Sequence, residues 1–320
     1  MRKILLLIGL TRLLGACGDA SEGARDGGTV GGDAGPRGDA EVGVPIADLV
    51  EEYVAAVCAH QVRCGLMPDA AACAATLGRG DLPQVVTFAE AGRVRYDGAL
   101  LTECLDSLAD VACTYTALLT AISPSCERFV VGLAADGAAC VAGAECASER
   151  CVLPDACTMA CCAGTCASAP AALGGACVDG TGCVDGTRCA DGRCAALLAE
   201  GAPCDQQQDA CARGTFCTPE AGGGATRCAR FPRRGEACPL YFCDDLRDFC
   251  DPQTFLCAPQ VPLGAMCTGS GCAFYATCTD GVCATLPQAG ASCNRYCLGD
   301  LVCSEETGTC VARAPLTICL

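Results

Sequence analysis

Cysteine constrains this chain more than any other residue, because it fills 35 of the 320 positions. A content of about 11% lies above the level at which a disulfide scaffold is the default interpretation. Disulfides persist only in oxidising compartments, so the chain is expected to be exported. Zinc sites and dithiol redox pairs usually contain C-x-x-C, and no two cysteines here are separated by two residues. The sequence therefore predicts disulfides, with no metal site and no cofactor.

The second half of the chain repeats a cysteine unit. A glycine three residues before a cysteine recurs in GAAC, GGAC, GAPC, GEAC, GAMC and GASC, which begin at Gly137, Gly174, Gly201, Gly235, Gly264 and Gly290. The last five segments each open a unit of four cysteines, called units 1 to 5 in chain order. Their cysteines are Cys177, Cys183, Cys189 and Cys194; Cys204, Cys211, Cys217 and Cys228; Cys238, Cys243, Cys250 and Cys257; Cys267, Cys272, Cys278 and Cys283; Cys293, Cys297, Cys303 and Cys310. Segments of about 30 residues bury too little apolar surface to fold unaided, so bridges worth about 2–4 kcal/mol each must constrain them.

Each unit is expected to contain a β-hairpin between its third and fourth cysteines. CADGRC and CTDGVC place Asp-Gly there, which is typical of a type I′ turn. A calcium site would need more oxygen ligands than one Asp-Gly supplies. Of the three possible pairings, we expect first to third and second to fourth. This pairing joins Cys177 to Cys189, Cys183 to Cys194, Cys267 to Cys278, and Cys272 to Cys283.

Residues 133–172 form an irregular unit. It holds an odd number of cysteines, namely Cys140, Cys146, Cys151, Cys157, Cys161, Cys162 and Cys166. The orphan either pairs with Cys319, stays reduced, or bridges two chains. Residues 173–320 then comprise the five regular units and a C-terminal tail.

Residues 45–132 are predicted to form a helical domain. In PIADLVEEYVAAVCAHQVRCG the apolar residues follow the 3.6-residue period of one helix face, which Cys58 continues and Gly65 ends. Further helices are expected after Asp69, Asp81 and Asp97, and a last one through SCERFVVG with Ser125 as its cap. The six cysteines of this domain allow fifteen connectivities, of which only a bridge between Cys64 and Cys73 is predicted.

The amino terminus has the three parts of a secretory signal: a basic start at residues 1–3, a short apolar run, and a small-residue ending before Cys17. The order L-G-A-C resembles the lipobox of bacterial lipoproteins, which predicts a signal peptide over 1–16 and acylation of Cys17. The alternative is an ordinary secretory signal that leaves Cys17 as a thiol. Residues 17–44 are rich in glycine and aspartate and lack a periodic apolar pattern, which indicates a disordered tether. Removing Cys17 from the count leaves an even number of cysteines for disulfides.

The formal charge of −16 and the pI near 4.4 argue against nucleic acid as a partner. RCARFPRR is a local basic exception, containing Arg227, Arg230, Arg233 and Arg234. We interpret it as an exposed loop between two units rather than a binding patch.

The cysteine spacing resembles a known family. The C-x(5)-C-x(4)-C…CC-x(3)-C run from Cys140 to Cys166 and the later G-x-x-C units look like the Dickkopf N-terminal cysteine-rich domain as it occurs in predicted myxobacterial lipoproteins. The segments RCG, AGRVRYDG and ECLDSLA resemble the domain that precedes such repeats. The resemblance implies a cell-envelope location and no known activity. Wnt antagonism, the role of animal Dickkopf proteins, is not expected of a chain with a lipobox.

No catalytic residue is predicted. His60 is the single histidine, and it is expected on a helix surface or flank, without the motifs that accompany known hydrolases or nucleotide-binding enzymes. The sequence predicts a disulfide-rich modular protein that is not an enzyme, held at the outer membrane or cell surface by a lipid, or else secreted. Its expected function is binding or adhesion to an extracellular protein or glycan. A protease-resistant envelope spacer is the alternative, and a protease inhibitor is a weaker one.

Overall fold

The structure, a computed structural model, describes residues 43–77, 82–121, 123–154, 162–177, 183–184, 186–205, 211–219, 225–238, 242–268, 271–293, 297–299 and 301–312. The predicted signal peptide, Cys17 and the tether up to residue 42 lie outside these ranges, as do Asp81, Cys157, Cys161 and Cys319. Within these ranges, the helices are all too short or too polar to cross a membrane.

Among the described residues, six α-helices form the helical region. They are α1 Leu49–Arg63, preceded by a 3₁₀ turn over Ile46–Asp48, α2 Ala70–Thr76, α3 Leu82–Glu90, α4 Gly98–Asp110, α5 Tyr115–Thr120 and α6 Ser125–Arg128. The predicted caps at two helices are confirmed. The Asp69 carboxylate accepts the Ala72 N–H at 2.7 Å, and Asp97 caps α4 in the same way. Gly65 ends α1 with φ +67, a conformation that favours glycine.

Helices α2, α3 and α4 pack their apolar faces against α1. Tyr53, Val57 and Cys58 lie on one buried face of α1 and contact Leu82 of α3 and Leu108 of α4 in one cluster. This is the face that the 3.6-residue period predicted. The domain therefore has a side-chain core of its own, in addition to its bridges.

The predicted helix through SCERFVVG is wrong in its second half and in its cap, because Ser125 is the first residue of the helix and Pro124 precedes it. Helix α6 ends at Arg128, and Val130–Gly132 forms strand β2, which pairs antiparallel with β1, Val94–Tyr96. Two adjacent valines favour a strand over a helix. Gly132 is needed at its position because a Cβ there would lie 2.3 Å from the Cys146 carbonyl oxygen.

The predicted bridge between Cys64 and Cys73 is also wrong. The structure joins Cys58 to Cys73 and Cys64 to Cys113, and a third bridge joins Cys104 to Cys126. Cys58 and Cys64 are six residues apart, which is about 1.7 helical turns, so they project from different sides of α1. Cys58 faces α2, whereas Cys64 lies beyond the helix end in a separate cluster with Val111.

The rest of the described chain contains short antiparallel strands and one 3₁₀ turn, Gly143–Glu145. A three-stranded sheet in the irregular unit has the order β3 Ala139–Cys140, β5 Gly164–Cys166, β4 Cys151–Val152. Units 1 to 5 each contribute one hairpin: β6 Thr187–Ala190 with β7 Arg193–Ala196, β8 Thr215–Pro219 with β9 Thr226–Arg230, β10 Asp248–Cys250 with β11 Cys257–Pro259, β12 Ala276–Thr279 with β13 Val282–Thr285, and β14 Leu301–Cys303 with β15 Cys310–Ala312.

The G-x-x-C segment forms the same turn in every unit. Its six glycines have φ between +77 and +84, which fits the third position of a type II turn. The glycine N–H then donates to the carbonyl of the last cysteine of the unit, as from Gly264 to Cys283 at 2.8 Å. The motif thus recurs because this turn needs a residue with a left-handed backbone conformation, which places the first cysteine beside the last strand of the unit.

The predicted pairing is present in all five regular units. The first cysteine is bonded to the third and the second to the fourth, including Cys177–Cys189, Cys183–Cys194, Cys267–Cys278 and Cys272–Cys283. The Asp-Gly turns of units 1 and 4 have positive φ at both residues, as a type I′ hairpin requires. In the irregular unit, Cys140 pairs with Cys151 and Cys146 with Cys166, and Cys162 is also disulfide-bonded. The chain is a disulfide-rich modular protein with an amino-terminal helical region followed by hairpin units.

Candidate binding surface

The sulfur atoms of each unit lie close together. In unit 1, the Sγ atoms of Cys177, Cys183 and Cys189 are all within 4.8 Å of one another, and comparable groups occur in other units. This spacing would also suit a thiolate metal site. Each of these sulfurs is already in a disulfide, however, and a metal binds the thiolate. The clusters therefore act as covalent cross-links in the oxidised chain.

His60 is buried, which corrects the expectation that it lies on a surface or flank. Its side chain is 6% exposed, and its Nδ1 lies 2.9 Å from Arg63 Nη2. Burial and the Arg63 charge lower the pKa of His60, while a hydrogen bond with the Leu108 backbone raises it. The imidazole therefore contributes to the packing at the end of α1.

Unit 3 docks against the helical region through backbone hydrogen bonds. The Tyr115 N–H donates to Asp244 O at 2.7 Å, and the Leu246 N–H donates to Cys113 O at 3.1 Å. The Thr116 N–H donates to the Asp244 carboxylate at 3.0 Å. Leu246 is 6% exposed and fills a cluster with four residues of the helical region, which are Cys64, Leu66, Val111 and Leu118.

Aromatic side chains extend the same contact. The Tyr115 ring stacks on Phe231, with centroids 5.7 Å apart, and meets Phe242 edge-on at 6.3 Å. Phe231 in turn stacks on Phe216 of unit 2 at 4.8 Å. Such pairs add about 0.5–1.5 kcal/mol each beyond their buried area. Units 2 and 3 are therefore joined to α5 by one aromatic cluster.

Other units also contact the helical region. Phe274 and Tyr275 of unit 4 pack against the core around Tyr53. In the irregular unit, the buried Glu145 carboxylate pairs with Arg93 at 2.5 Å. The array is thus folded back on the helices at several points rather than extended from them.

RCARFPRR is a loop only in part, because Arg227 and Arg230 belong to strand β9. Its arginines are mostly engaged within the chain. Arg230 pairs with Glu236 at 2.7 Å, and Arg234 with Asp248 at 2.5 Å. Arg230, together with the Arg233 N–H, lowers the pKa of Glu236 to about 2. Carboxylates therefore neutralise part of the basic segment.

One surface position recurs in all five units. In each unit, the residue before the first cysteine pairs with the residue before the fourth cysteine in an isolated antiparallel β-bridge. We call these two residues the display pair. The display pairs are Ala176 with Arg193, Pro203 with Arg227, Ala237 with Leu256, Met266 with Val282, and Ser292 with Thr309. The turn and the bridges are constant, but the chemistry of the display pair changes from unit to unit. Most of these side chains are exposed.

The display pairs of units 3 and 4 include large apolar side chains that are exposed to solvent. Met266 is 85% exposed, Val282 39% and Leu256 40%. Leu263, in the turn that precedes Met266, is 47% exposed. An exposed apolar group on a disulfide-fixed frame is the kind of feature that marks an interaction site.

Phe255, beside the display pair of unit 3, adopts a conformation that is unfavourable for a bulky residue. Its φ is +54, and it occupies the place where units 1, 4 and 5 have Gly192, Gly281 and Gly308. Its side chain is 50% exposed. A non-glycine residue in this region costs about 1–2 kcal/mol, and such strain concentrates at functional sites.

Sequence reasoning missed this surface. The available signal was Met266 before the first cysteine of unit 4, where other units have alanine, proline or serine, and Phe255 two residues before the fourth cysteine of unit 3, where three other units have glycine. Comparison of the chain with protein-family models, with curated proteins and with solved structures finds no match.

Proposed function

We propose that this chain is a binding module that engages an extracellular protein through the display pairs of units 3 and 4. The observation that carries the proposal is the exposure of Met266, Val282 and Leu256 on a frame that bridges hold in place. Methionine and aromatic residues are enriched at protein interfaces, which favours a protein over a glycan as partner.

The fixed frame supports a binding function energetically. Two bridges and a hydrogen-bonded turn hold each display pair, so little backbone conformational entropy is lost when a partner binds. The docking of unit 3 on α5 limits motion between units in the same way. A spacer would gain nothing from folding back on the helices, so these contacts favour binding over the spacer function.

We also propose that the module is exported and anchored by an acylated Cys17. The basic start, the short apolar run, the L-G-A-C order and the Dickkopf-like resemblance support this location, as does the number of disulfides. Growth with labelled palmitate tests the anchor directly. Label should enter the wild-type chain and be absent from Cys17→Ser; label retained in the variant would contradict the anchor.

The binding function is tested with matched double variants. Met266→Asp with Val282→Asp places two charges at the display pair of unit 4, and Ser292→Asp with Thr309→Asp does the same in unit 5. Fluorescent chain lacking the signal peptide is titrated onto intact cells of the producing species, and saturable binding is measured.

The unit 4 variant should lose at least tenfold in affinity, whereas the unit 5 variant should bind as the wild type does. Equal binding by both variants would contradict the role of units 3 and 4. Protease treatment of the cells should abolish binding. Binding that survives protease but is lost after glycan removal would replace the protein partner by a glycan.

A further inference from the structure

Every disulfide whose two cysteines both lie among the described residues skips at least one cysteine. In unit 1, the bridge from Cys177 to Cys189 encloses Cys183, and the bridge from Cys183 to Cys194 encloses Cys189. The remaining thirteen bridges have the same property, in the helical region as well as in the units. These fifteen bridges are therefore crossed pairs, and none of them joins neighbouring cysteines.

Oxidation of an unfolded chain favours the opposite result. Cys177 is separated by twelve positions from its native partner Cys189, but Cys183 lies about halfway between them. Halving the number of residues in a loop raises the equilibrium constant for closing it roughly threefold. Synthesis from the amino terminus adds to this preference, because the first two cysteines of a unit are available before the third. Direct oxidation should therefore join neighbours in each unit.

We infer that this chain is a substrate of a thiol–disulfide isomerase, a dithiol enzyme that converts neighbouring pairs into the crossed pairs. The inference is independent of the binding function and of the lipid anchor. It follows from the connectivity together with the preference of an unfolded chain for short loops.

The exchange is balanced and needs no oxidant. In unit 1, the isomerase thiolate attacks Cys177 of a Cys177–Cys183 bridge, forms a mixed disulfide with Cys177 and releases the Cys183 thiolate. Cys183 then attacks Cys194 of the second neighbouring pair and releases the Cys189 thiolate. Cys189 attacks the mixed disulfide at Cys177, forms the native bridge and releases the isomerase thiolate. Two bridges are present before and after.

The short distances between the sulfur atoms of a unit favour this exchange, and the burial of its second-to-fourth disulfide stops further exchange. Sulfurs of three cysteines lie within 4.8 Å, so opening one bridge leaves a thiolate close to the other. Once the unit has folded, Cys183 and Cys194 are each 3% exposed, and an external thiolate must reach a sulfur to attack it. Burial of the second-to-fourth bridge therefore protects the crossed product.

The inference is tested by mapping bridges in the full exported chain. The chain is reduced, unfolded, oxidised rapidly with diamide and divided in two. One portion is kept in buffer, and the other receives catalytic amounts of a purified bacterial disulfide isomerase with reduced glutathione. Mass spectrometry of unreduced digests then counts neighbouring and crossed pairs in each unit.

Before the isomerase is added, neighbouring pairs should outnumber crossed pairs by threefold or more. With the isomerase, crossed pairs should come to predominate. Crossed pairs forming in diamide alone as completely as with the isomerase would overturn the inference, as would neighbouring pairs that persist with it.

A matched variant separates crossing from loop length. In Cys183→Ser with Cys194→Ser, the remaining pair Cys177–Cys189 has the same loop but no cysteine inside it. This bridge should form in diamide alone, while the first-to-third bridge of unit 4 in the same molecules still needs the isomerase. If the two bridges behave alike, whether both need the enzyme or neither does, the inference is wrong. Mapping does not require the variant to fold.

Discussion

Leu246 provides the strongest mutational test of the docking between unit 3 and the helical region. Its side chain is 6% exposed and is surrounded by residues of the helical region, although it belongs to a unit more than 100 positions later in the chain. Truncating a buried leucine to alanine costs about 2–5 kcal/mol, from lost transfer energy and the cavity that remains. We therefore expect Leu246→Ala to destabilise the helical region by about 3 kcal/mol.

Leu263 serves as the matched control for this substitution. It is 47% exposed, so folding removes only about half of its side chain from water and gains about half of the hydrophobic free energy of a buried leucine. Leu263→Ala should therefore lower the free energy of unfolding by about 1 kcal/mol or less. Unfolding in guanidinium chloride with the disulfides intact, followed by the helical circular dichroism signal, gives both values. Equal shifts of the midpoint in the two variants would refute the docking of unit 3 on the helices.

Three further predictions concern the turns, the histidine and the bridges. In Gly264→Ala there is room for the added methyl group, but the backbone φ of +82 at this position is unfavourable for alanine. The melting temperature should therefore fall by an amount equivalent to about 1 kcal/mol. An unchanged melting temperature would contradict the need for glycine in this turn. Because burial and Arg63 lower the pKa of His60, the unfolded state takes up a proton first as the pH falls below about 6.5. Stability should therefore decrease from pH 7 to pH 5 in the wild type by more than in His60→Gln, as measured by urea unfolding; parallel pH profiles would argue against it. In units 1 and 5, the first-to-third disulfides are half-buried and the second-to-fourth disulfides are buried. Limited dithiothreitol should therefore reduce the first-to-third disulfides of these units first, whereas both disulfides of unit 3, which are buried, should resist. Reduction of all these disulfides at the same rate would exclude protection by burial.

Local features of the fold were predictable from the sequence. The 3.6-residue period located α1, and Asp69 and Asp97 marked the starts of α2 and α4, because capping depends on residues a few positions apart. The Asp-Gly turns and the G-x-x-C repeat indicated the hairpins for the same reason. Regular spacing also made the crossed pairing in the units a reasonable expectation.

Features that depend on distant contacts were not predictable. The partner of Cys64 is set by which side of the helix end faces Cys113, 49 positions later. The burial of His60 depends on the same neighbourhood, and so does the position of Leu246. Stacking of Tyr115 on Phe231 joins residues with no shared pattern along the chain. The display pairs became evident only when the strand register showed which residues face each other.

Amide hydrogen exchange at the junction is the most direct test that the cysteine array is docked on the helical region. The Tyr115 and Leu246 N–H groups donate across this junction, and the Leu118 N–H, which donates to the carbonyl of Thr114 at the start of α5, provides an internal reference. With all bridges intact, the two junction amides should exchange at least a hundredfold more slowly than unprotected amides and within about tenfold of Leu118. Exchange of Tyr115 and Leu246 at the unprotected rate, while Leu118 stays protected, would contradict the docked array.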